Sequence, residues 1–370
     1  MLPPSNRHRG ATPARAAPRA GCRGRLTAVV GPRWVRPAGL LVGALADTLL
    51  GDPRRGHPVA GFGRAAAALE ARWYADRRSA GVLYVAALVG GAAALGVLAE
   101  RVAARRPLAG VALTGLATWA VLGGSSLAAH GAALAHELVA GDLAAARTRL
   151  PSLCGRDPAA LDAAGMSRAG TESMAENTSD AVVAPLLWGA VAGVPGLLAY
   201  RAVNTLDAMV GYRSTRYRRF GWAAARLDDV ANLVPARVSA LLFAGLAPAV
   251  GGSPRAALVA WRRDGSAHPS PNAGPVEAAA AGALGVTLGG RTVYPHGVEE
   301  RPRLGEGPPP TPADLARAAR LSRLVGAAAA ILSAAIAASF RRTARSSVPI
   351  RRTRRSSEGV GKDKDLREIG

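Results

Sequence analysis

Apolar residues in this chain occur in blocks that are separated by charged and Pro-rich segments. A helix needs about 20 mostly apolar residues to cross a bilayer, so the second, third and last blocks qualify by length alone. The pattern therefore predicts a multi-pass membrane protein. The apolar blocks cover residues 38–50, 81–99, 108–129, 181–199, 233–251 and 322–340.

The remaining blocks carry features that disfavour a simple span. The block at residues 38–50 is short and contains Asp47. These two features indicate a re-entrant or interfacial helix, or a span that is extended by the neighbouring residues. Residues 181–199 and 233–251 each contain two prolines, which bend or break helices. We therefore expect an all-α, multi-pass integral membrane helical bundle with four or five spans and additional amphipathic or re-entrant helices.

Charge is concentrated at the two ends of the chain. The net charge is +22, and residues 1–37 contain eight Arg and no acid, while residues 341–370 contain ten Lys or Arg and four acids. Such segments cannot bury an apolar core, so both are predicted to be disordered basic extensions, the first without a signal peptide. Residues 38–340 are predicted to form the membrane-embedded domain. Because the excess charge lies in the tails, membrane lipid is the expected partner and nucleic acid is not.

The first candidate site follows the first apolar block. Gly51 and two prolines predict a turn that displays Asp52, Arg54 and His57 at a membrane surface. Arginine there can hold phosphate or carboxylate groups. The alternative is a basic loop beside the membrane with no chemical role.

The second candidate site is an acidic stripe. Glu172, Glu176 and Asp180 are four residues apart and fall on one face of a helix. Like charges in this arrangement repel one another unless a cation or a basic ligand lies over them, and Mg²⁺ with bound phosphates is a suitable occupant. The alternative is a solvated acidic face.

The third candidate site lies in residues 200–237. Asn204 and Asp207 are one helical turn apart, and the group Asp228-Asp229-x-x-Asn232 repeats that spacing. Carboxylates in apolar surroundings need partners, so either a metal ion or a basic side chain is expected, and internal ion pairs that only hold the bundle together are the alternative. The candidate basic partners are Arg201, Arg226 and Arg237.

The fourth candidate site is the loop from His268 to Glu277. Its prolines and glycine predict a rigid turn, and the backbone amides from Asn272 onward suit an anion or a carbonyl oxygen, unless the segment is only a capped turn. Residues 295–312, also rich in Pro and Gly, are predicted to be a linker with no chemistry of their own.

These four segments, in this order and with these gaps, resemble the CobD/CbiB family of cobalamin biosynthesis. The resemblance runs from about Leu41 to Phe340 and is most specific at residues 172–185, 200–237 and 268–277. One departure is visible, because the family loop reads N-x-G-W-P-E-A and this chain has Asn-Ala-Gly-Pro-Val-Glu without the Trp.

The resemblance implies a ligase in the cytoplasmic membrane that joins adenosylcobyric acid to (R)-1-amino-2-propanol or its O-phosphate, giving adenosylcobinamide or its phosphate. Joining a carboxylate to an amine in water requires activation, so ATP and Mg²⁺ are expected, with an acyl phosphate that the amine attacks. Association with other late enzymes of the pathway is also open.

On this hypothesis the candidate residues take three roles. The carboxylates around Mg²⁺ and phosphate are Glu172, Glu176, Asp180, Asp207, Asp228 and Asp229, all but Asp207 being expected metal ligands. Arg54, Arg201 and Arg237 hold phosphate or a propionate, and either His57 or Glu277 accepts the proton of the attacking ammonium. The other expected substrate-binding residues are Asp52, Asn204, Arg226, Asn232, His268 and Asn272.

Two other functions fit the same residues. A Mg²⁺-dependent membrane transferase of a prenyl or phosphoalcohol group also uses D-D-x-x-N to hold a diphosphate. A corrinoid transporter or assembly partner places buried acids along an ion path. The absence of a G-x-x-x-x-G-K-[ST] sequence indicates that any nucleotide is held in another way.

Overall fold

The computed structural model describes residues 32–52, 56–212, 214–294 and 297–346. Within these ranges the chain forms fourteen α-helices and one pair of strands. The helices are α1 (Val35–Leu50), α2 (Pro58–Trp73), α3 (Arg78–Ala103), α4 (Pro107–Val121), α5 (Gly124–Val139), α6 (Leu143–Arg149), α7 (Ala163–Thr178), α8 (Ala184–Val210), α9 (Tyr217–Phe220), α10 (Trp222–Ala231), α11 (Leu233–Leu246), α12 (Pro254–Asp264), α13 (Ala273–Leu284) and α14 (Pro312–Ser346).

Five helical stretches are long and apolar enough to cross a membrane. This number confirms the predicted all-α, multi-pass bundle with four or five spans. Helix α1 has 16 residues, so its length of about 24 Å is shorter than a typical bilayer core. The five stretches are Arg78–Ala103, Pro107–Val139, Ala163–Val210, Leu233–Val250 and Pro312–Ser339.

The helical structure extends slightly beyond the predicted domain boundaries. Helix α1 begins at Val35, three residues before residue 38, and α14 ends at Ser346, six residues after residue 340. Residues 1–31 and 347–370 lie outside the described residues, so the disorder of the two basic tails stays a prediction.

Helix α1 lies close to α4 because small residues face threonines at their contact. A Cβ atom on Gly39 or on Gly43 would collide with the side chain of Thr114 or of Thr118. Small residues permit this close approach of helix backbones in a membrane. The contact holds the C-terminal end of α1, with Asp47, beside the helices that carry the site.

Two interruptions of the long helices meet in the centre of the bundle. Helix α7 passes into α8 through a π-helical turn, Ser179–Val183, and α4 is separated from α5 by an extended residue and Gly123. The backbone N–H of Gly123 donates a hydrogen bond to the carbonyl of Ala181 at 3.3 Å. Each interruption therefore supplies a partner for a backbone group that the other leaves free.

Helix α8 is broken at Gly193, two residues before Pro195. Gly193 has φ +70° and ψ −150°, a conformation outside the helical region. The Arg36 guanidinium donates to the carbonyls of Ala190 and Val191, at 3.3 and 3.1 Å, and Glu100 accepts the N–H of Val194 at 3.0 Å. Two charged side chains thus satisfy the backbone groups that the break leaves without helical partners. Pro185, predicted to bend this region, lies in the first turn of α8, where proline is tolerated.

The predicted linker at residues 295–312 is wrong in its first half. Strand β1 (Leu288–Tyr294) pairs antiparallel with β2 (Gly297–Leu304), with Arg291 opposite Glu300. Pro302 hid the strand in the sequence, but a two-stranded sheet leaves one edge of each strand unpaired, and proline fits such an edge. The hairpin carries Arg301 to the polar centre of the bundle.

We expect the substitution Gly193→Ala to lower the melting temperature of the detergent-solubilised protein by a few degrees. An L-residue with positive φ costs about 1–2 kcal/mol, and the added Cβ would meet the Glu100 carboxylate. Tryptophan fluorescence during heating measures the change. Gly90→Ala in α3 is the matched control, because its Cβ meets nothing within 4 Å. Equal melting temperatures for the two variants would contradict the role of Gly193.

Candidate active site

The π-helical turn between α7 and α8 positions Asp180. The hydroxyl of Tyr200 lies 3.0 Å from the Asp180 backbone oxygen and 2.8 Å from Oδ1 of Asn232. Asn232 in turn donates from Nδ2 to Oδ2 of Asp228 at 2.9 Å. Tyr200 therefore ties the π-helical turn to the D-D-x-x-N segment, which places Asp180 and Asp228 on the same side of the bundle.

The loop before α13 joins the same segment from the other side. Asn272 donates from Nδ2 to the backbone oxygen of Asp229 at 2.7 Å, and its Oδ1 accepts a hydrogen bond from Arg237 at 2.8 Å. Asn272 is 7% exposed, so this amide is a buried connection and not a surface turn. The second, third and fourth predicted sites thus meet in space.

The convergence creates a cavity of about 220 Å³ that we call the acidic cavity. Five carboxylates face it, although they come from three helices and a π-helical turn. Seven of the predicted site residues lie on its wall. The lining residues are Glu176, Ser179, Asp180, Asp207, Ala225, Asp228, Asp229, Asn232, Ser270, Asn272, Ala273 and Val276.

The acidic cavity fits a cation that brings its own ligands. Among the described residues, no group of three or more His, Cys, Asp or Glu side chains is arranged to hold a metal ion. Mg²⁺ in enzymes binds through one or two carboxylates and completes its shell with water and substrate phosphates. Oδ1 of Asp228 is buried without a hydrogen-bond partner, so this oxygen is available to bind a cation. The donor set therefore fits Mg²⁺ bound together with a phosphate, and does not fit a protein-only metal cage.

The structure places Glu172 apart from this cavity. Its carboxylate forms an ion pair with Arg156, and both side chains are almost fully buried. The backbone N–H of Gly289 donates to its Oε1 at 2.7 Å. Glu172 thus joins α7 to strand β1, and its oxygens are occupied by partners that the predicted role as a metal ligand did not include.

Glu277 also does not line the acidic cavity. It is 2% exposed, and its Oε1 lies 3.9 Å from Nε2 of His268, which is itself 3.4 Å from the Arg301 guanidinium. Burial raises the pKa of Glu277 well above its ordinary range, and Glu172 and Glu176 raise it further. Burial and Arg301 lower the pKa of His268. Burial therefore disfavours the charged form of both side chains.

The remaining predicted residues fall on the edge of the site. Arg201 is half-buried, lies within electrostatic range of Asp52 and Asp180, and donates to Asn204 at 3.5 Å. Arg226 pairs with Asp229 at 3.4 Å on the exposed side of α10.

Of the two basic residues in the first predicted site, His57 lies within the described part of the chain. His57 caps α2, its Nδ1 accepting the N–H of Val59 at 3.2 Å. Arg54 lies outside the described residues.

A second cavity, of about 470 Å³, adjoins the acidic one, and we call it the basic cavity. Arg237, Trp261 and Arg262 line it, together with His268. The loop before α13 separates the two cavities, because Pro269 and Pro271 face the basic cavity while Ser270 and Asn272 face the acidic one.

Sequence reasoning missed five residues of this region. Tyr200 received no predicted role, although a tyrosine in an apolar helix usually has a buried hydrogen-bond partner. Arg156 and Arg301 gave no local signal, because each meets its carboxylate through tertiary structure. Trp261 and Arg262 were likewise part of a helix with no recognised pattern.

Helical spans around an acidic cavity define this chain as a multi-pass membrane protein with a polar internal site. The family described as CobD/Cbib protein matches residues 40–322, and the chain belongs to this family. It is 58% identical to a protein named cobalamin biosynthesis protein CobD from Mycobacterium tuberculosis, over 80% of this chain and 95% of that relative. Proteins of the same name from Rhodobacter capsulatus and Geobacter metallireducens are 45% and 46% identical, over 77% and 72% of this chain and 93% and 86% of those relatives. No solved structure matches. These findings support a role in cobalamin biosynthesis.

We expect Asp228→Asn to stabilise the protein at about pH 7.5 in the absence of divalent cations. Burial raises the pKa of Asp228 to about 6, while an unfolded Asp titrates near about 4. The folded state therefore binds more protons between these values, so stability falls as pH rises from about 4 to about 6 and remains lower above that.

The gain from Asn is on the order of 1–3 kcal/mol above about pH 6 and vanishes near about pH 4. Thermal denaturation in EDTA at both pH values measures it. Asp76→Asn, at an exposed ion pair with Arg219, is the control and should change neither value. A loss of stability for Asp228→Asn at about pH 7.5 would mean that the carboxylate supports the fold.

Proposed function

We propose that this protein is an ATP- and Mg²⁺-dependent ligase of the cytoplasmic membrane. It forms an amide between adenosylcobyric acid and (R)-1-amino-2-propanol or its O-phosphate. The relatives' names support the pathway, and the five carboxylates that face one cavity beside a basic one are the observation that carries the reaction type. A ligase of this kind must bring a phosphorylated intermediate, a cation and an amine together in one place.

The reaction balances in two steps. A carboxylate oxygen of cobyric acid attacks the γ-phosphorus of ATP, giving an acyl phosphate and ADP. The amine nitrogen then attacks the acyl carbon, the amide C–N bond forms, and inorganic phosphate leaves. The amine enters as an ammonium ion and loses protons during these steps, so a carboxylate that accepts a proton must lie nearby.

The acidic cavity supports both cation binding and proton transfer. Asp228 and Asp229, with Glu176 and Asp180, are the residues that would hold Mg²⁺. When bound, Mg²⁺ neutralises the charge of the transferring phosphoryl group. Asp207 forms no ion pair within the described part of the chain and would receive the proton of the ammonium. This assignment replaces Glu277, which is buried beside His268 and does not line the acidic cavity.

The basic cavity supports nucleotide binding without a P-loop. The indole of Trp261 offers a face for stacking of an adenine, and the guanidinium groups of Arg237 and Arg262 suit phosphates. Arg237 is held by Asn272 at the boundary of the two cavities, so phosphates bound by Arg237 would extend towards the carboxylates. The opposite charges of the two cavities thus match a nucleotide and its metal.

The direct test is incubation of the detergent-purified protein with adenosylcobyric acid, ATP, Mg²⁺ and either amine, with mass spectrometry of the corrinoid. A mass gain equal to one amine minus water is expected. Transfer to a lipid-soluble acceptor instead would indicate the prenyl or phosphoalcohol transferase. Corrinoid binding with no product and no ATP hydrolysis would indicate the transport or assembly role.

We expect Asp207→Asn to lower kcat by about 100-fold or more, because the amide cannot accept the ammonium proton. Initial rates of corrinoid product formation measure it. Asp76→Asn removes an exposed carboxylate that does not line the acidic cavity and should retain the wild-type rate. Full activity of Asp207→Asn would remove Asp207 from the mechanism.

We expect Arg262→Ala to raise the KM for ATP by about tenfold with a smaller change in kcat, because a charge-assisted hydrogen bond to phosphate is lost. Arg255 lies on the same helix and does not line the basic cavity, so Arg255→Ala is the matched control. The KM for ATP is obtained at saturating corrinoid and amine. Equal KM values in the two variants would place the nucleotide outside the basic cavity.

A further inference from the structure

A third cavity, which we call the α1 cavity, lies between the C-terminal end of α1, the start of α5, the π-helical turn and α14. Its volume is about 510 Å³. Most of its wall is apolar, with Leu122, Val182 and Leu186 among the lining residues. The polar lining residues are Asp47, Thr48, Ser125, Ser126, Ser322 and Arg323. Among the described residues, none of the site residues discussed above belongs to this wall.

Two buried oxygen atoms in this wall have no partner. Asp47 is 5% exposed, and its Oδ2 accepts the backbone N–H of Ser125 at 3.0 Å. Its Oδ1 and the Oγ of Ser125 are buried without a hydrogen-bond partner. Buried carboxylate oxygens in proteins are almost always hydrogen-bonded, so a donor is missing here. The atoms lie on adjacent elements of the same cavity, and one ligand can satisfy both.

Arg323, an exposed residue, lines another wall of the same cavity. Arg323 on α14 forms no hydrogen bond or ion pair within the described residues, and it is not paired with Asp47. A cavity lined by a negative and a positive side chain that do not pair with each other suits a ligand that carries both a positive and a negative group. Asp47 is the one carboxylate of the wall, so a bare divalent ion would lack ligands, whereas an ammonium group on a short apolar skeleton matches the lining.

We propose that the α1 cavity binds the amine co-substrate, with its ammonium group on Asp47 and Ser125 and, in the phosphorylated amine, its phosphate on Arg323. The identity of this small primary amine rests on the proposed function. The observations on the cavity itself, namely its unpartnered oxygens and its two charged residues, are independent of the proposed function.

The position of the cavity suits this role. Val182 lines the α1 cavity, while Ser179 and Asp180 line the acidic cavity. One π-helical turn therefore forms the wall between them. An amine held by Asp47 lies next to the cavity in which the activated carboxylate forms.

Calorimetric titration of the full-length, detergent-solubilised protein with 1-amino-2-propanol, without ATP or corrinoid, tests the assignment. The wild type should bind the amine, and propane-1,2-diol, which lacks the ammonium, should not bind. Asp47→Asn should weaken amine binding roughly tenfold or more, because a hydrogen bond between charged groups is lost. Asp76→Asn, at an exposed ion pair that lines none of the three cavities, should change it less than about twofold.

A second titration, with the O-phosphate of the same amine, tests the role of Arg323. Arg323→Gln should weaken binding of the phosphorylated amine roughly tenfold and leave that of the free amine unchanged. If Asp47→Asn fails to fold, Ala129→Trp fills the cavity from an exposed position of its wall and should abolish binding of both amines.

The outcomes separate this proposal from the ligase activity. Wild-type amine affinity in Asp47→Asn and Ala129→Trp overturns the α1 cavity as the amine site even where product forms. Amine binding that depends on Asp47, in a protein that forms no amide, supports the site and overturns the proposed reaction.

Discussion

The carboxylates of the acidic cavity face one another across a volume of about 220 Å³, and their mutual repulsion favours either protonation or a bound cation. Asp207 and Asp228 form no ion pair within the described residues. Arg226 pairs with Asp229 at 3.4 Å, whereas Arg237 donates to Asn272 and to the backbone oxygen of Leu233. The site therefore keeps an excess of negative charge that the fold does not cancel. This excess distinguishes it from the buried Arg156–Glu172 pair, where the charges balance and the role is to hold the hairpin.

A π-helical turn interrupts the acidic stripe that begins on α7. A regular helix would place Glu172, Glu176 and Asp180 on one stripe, whereas the π-helical turn begins at Ser179 and changes the direction of Asp180. The backbone groups freed by the turn need partners in a membrane bundle, and Gly123 supplies one. Irregular backbone is thus concentrated where it lines cavities.

Much of the fold followed from sequence, because long apolar blocks admit few structures other than spanning helices. The convergence of residues 172–180, 200–232 and 268–277 was also predictable, since each segment holds polar side chains that apolar surroundings cannot satisfy alone. The ion pair of Glu172 could not be predicted, because its partner Arg156 is sixteen residues away in a loop without a recognisable pattern. Arg301 was hidden for a similar reason: a two-stranded hairpin with a proline and several glycines has the composition of a loop.

Three cavities of different character are separated by two short backbone segments. The loop before α13 separates the basic cavity from the acidic cavity. The π-helical turn separates the acidic cavity from the α1 cavity, whose wall carries both charges. On the proposed function, an anionic nucleotide and a cationic amine would be attracted to different cavities by charge alone. Each would then approach the acidic cavity from a different side, and the repulsion among its carboxylates would fall when the metal and the ammonium arrive. The uncompensated charge of the central cavity is, on this argument, the force that brings the reactants together.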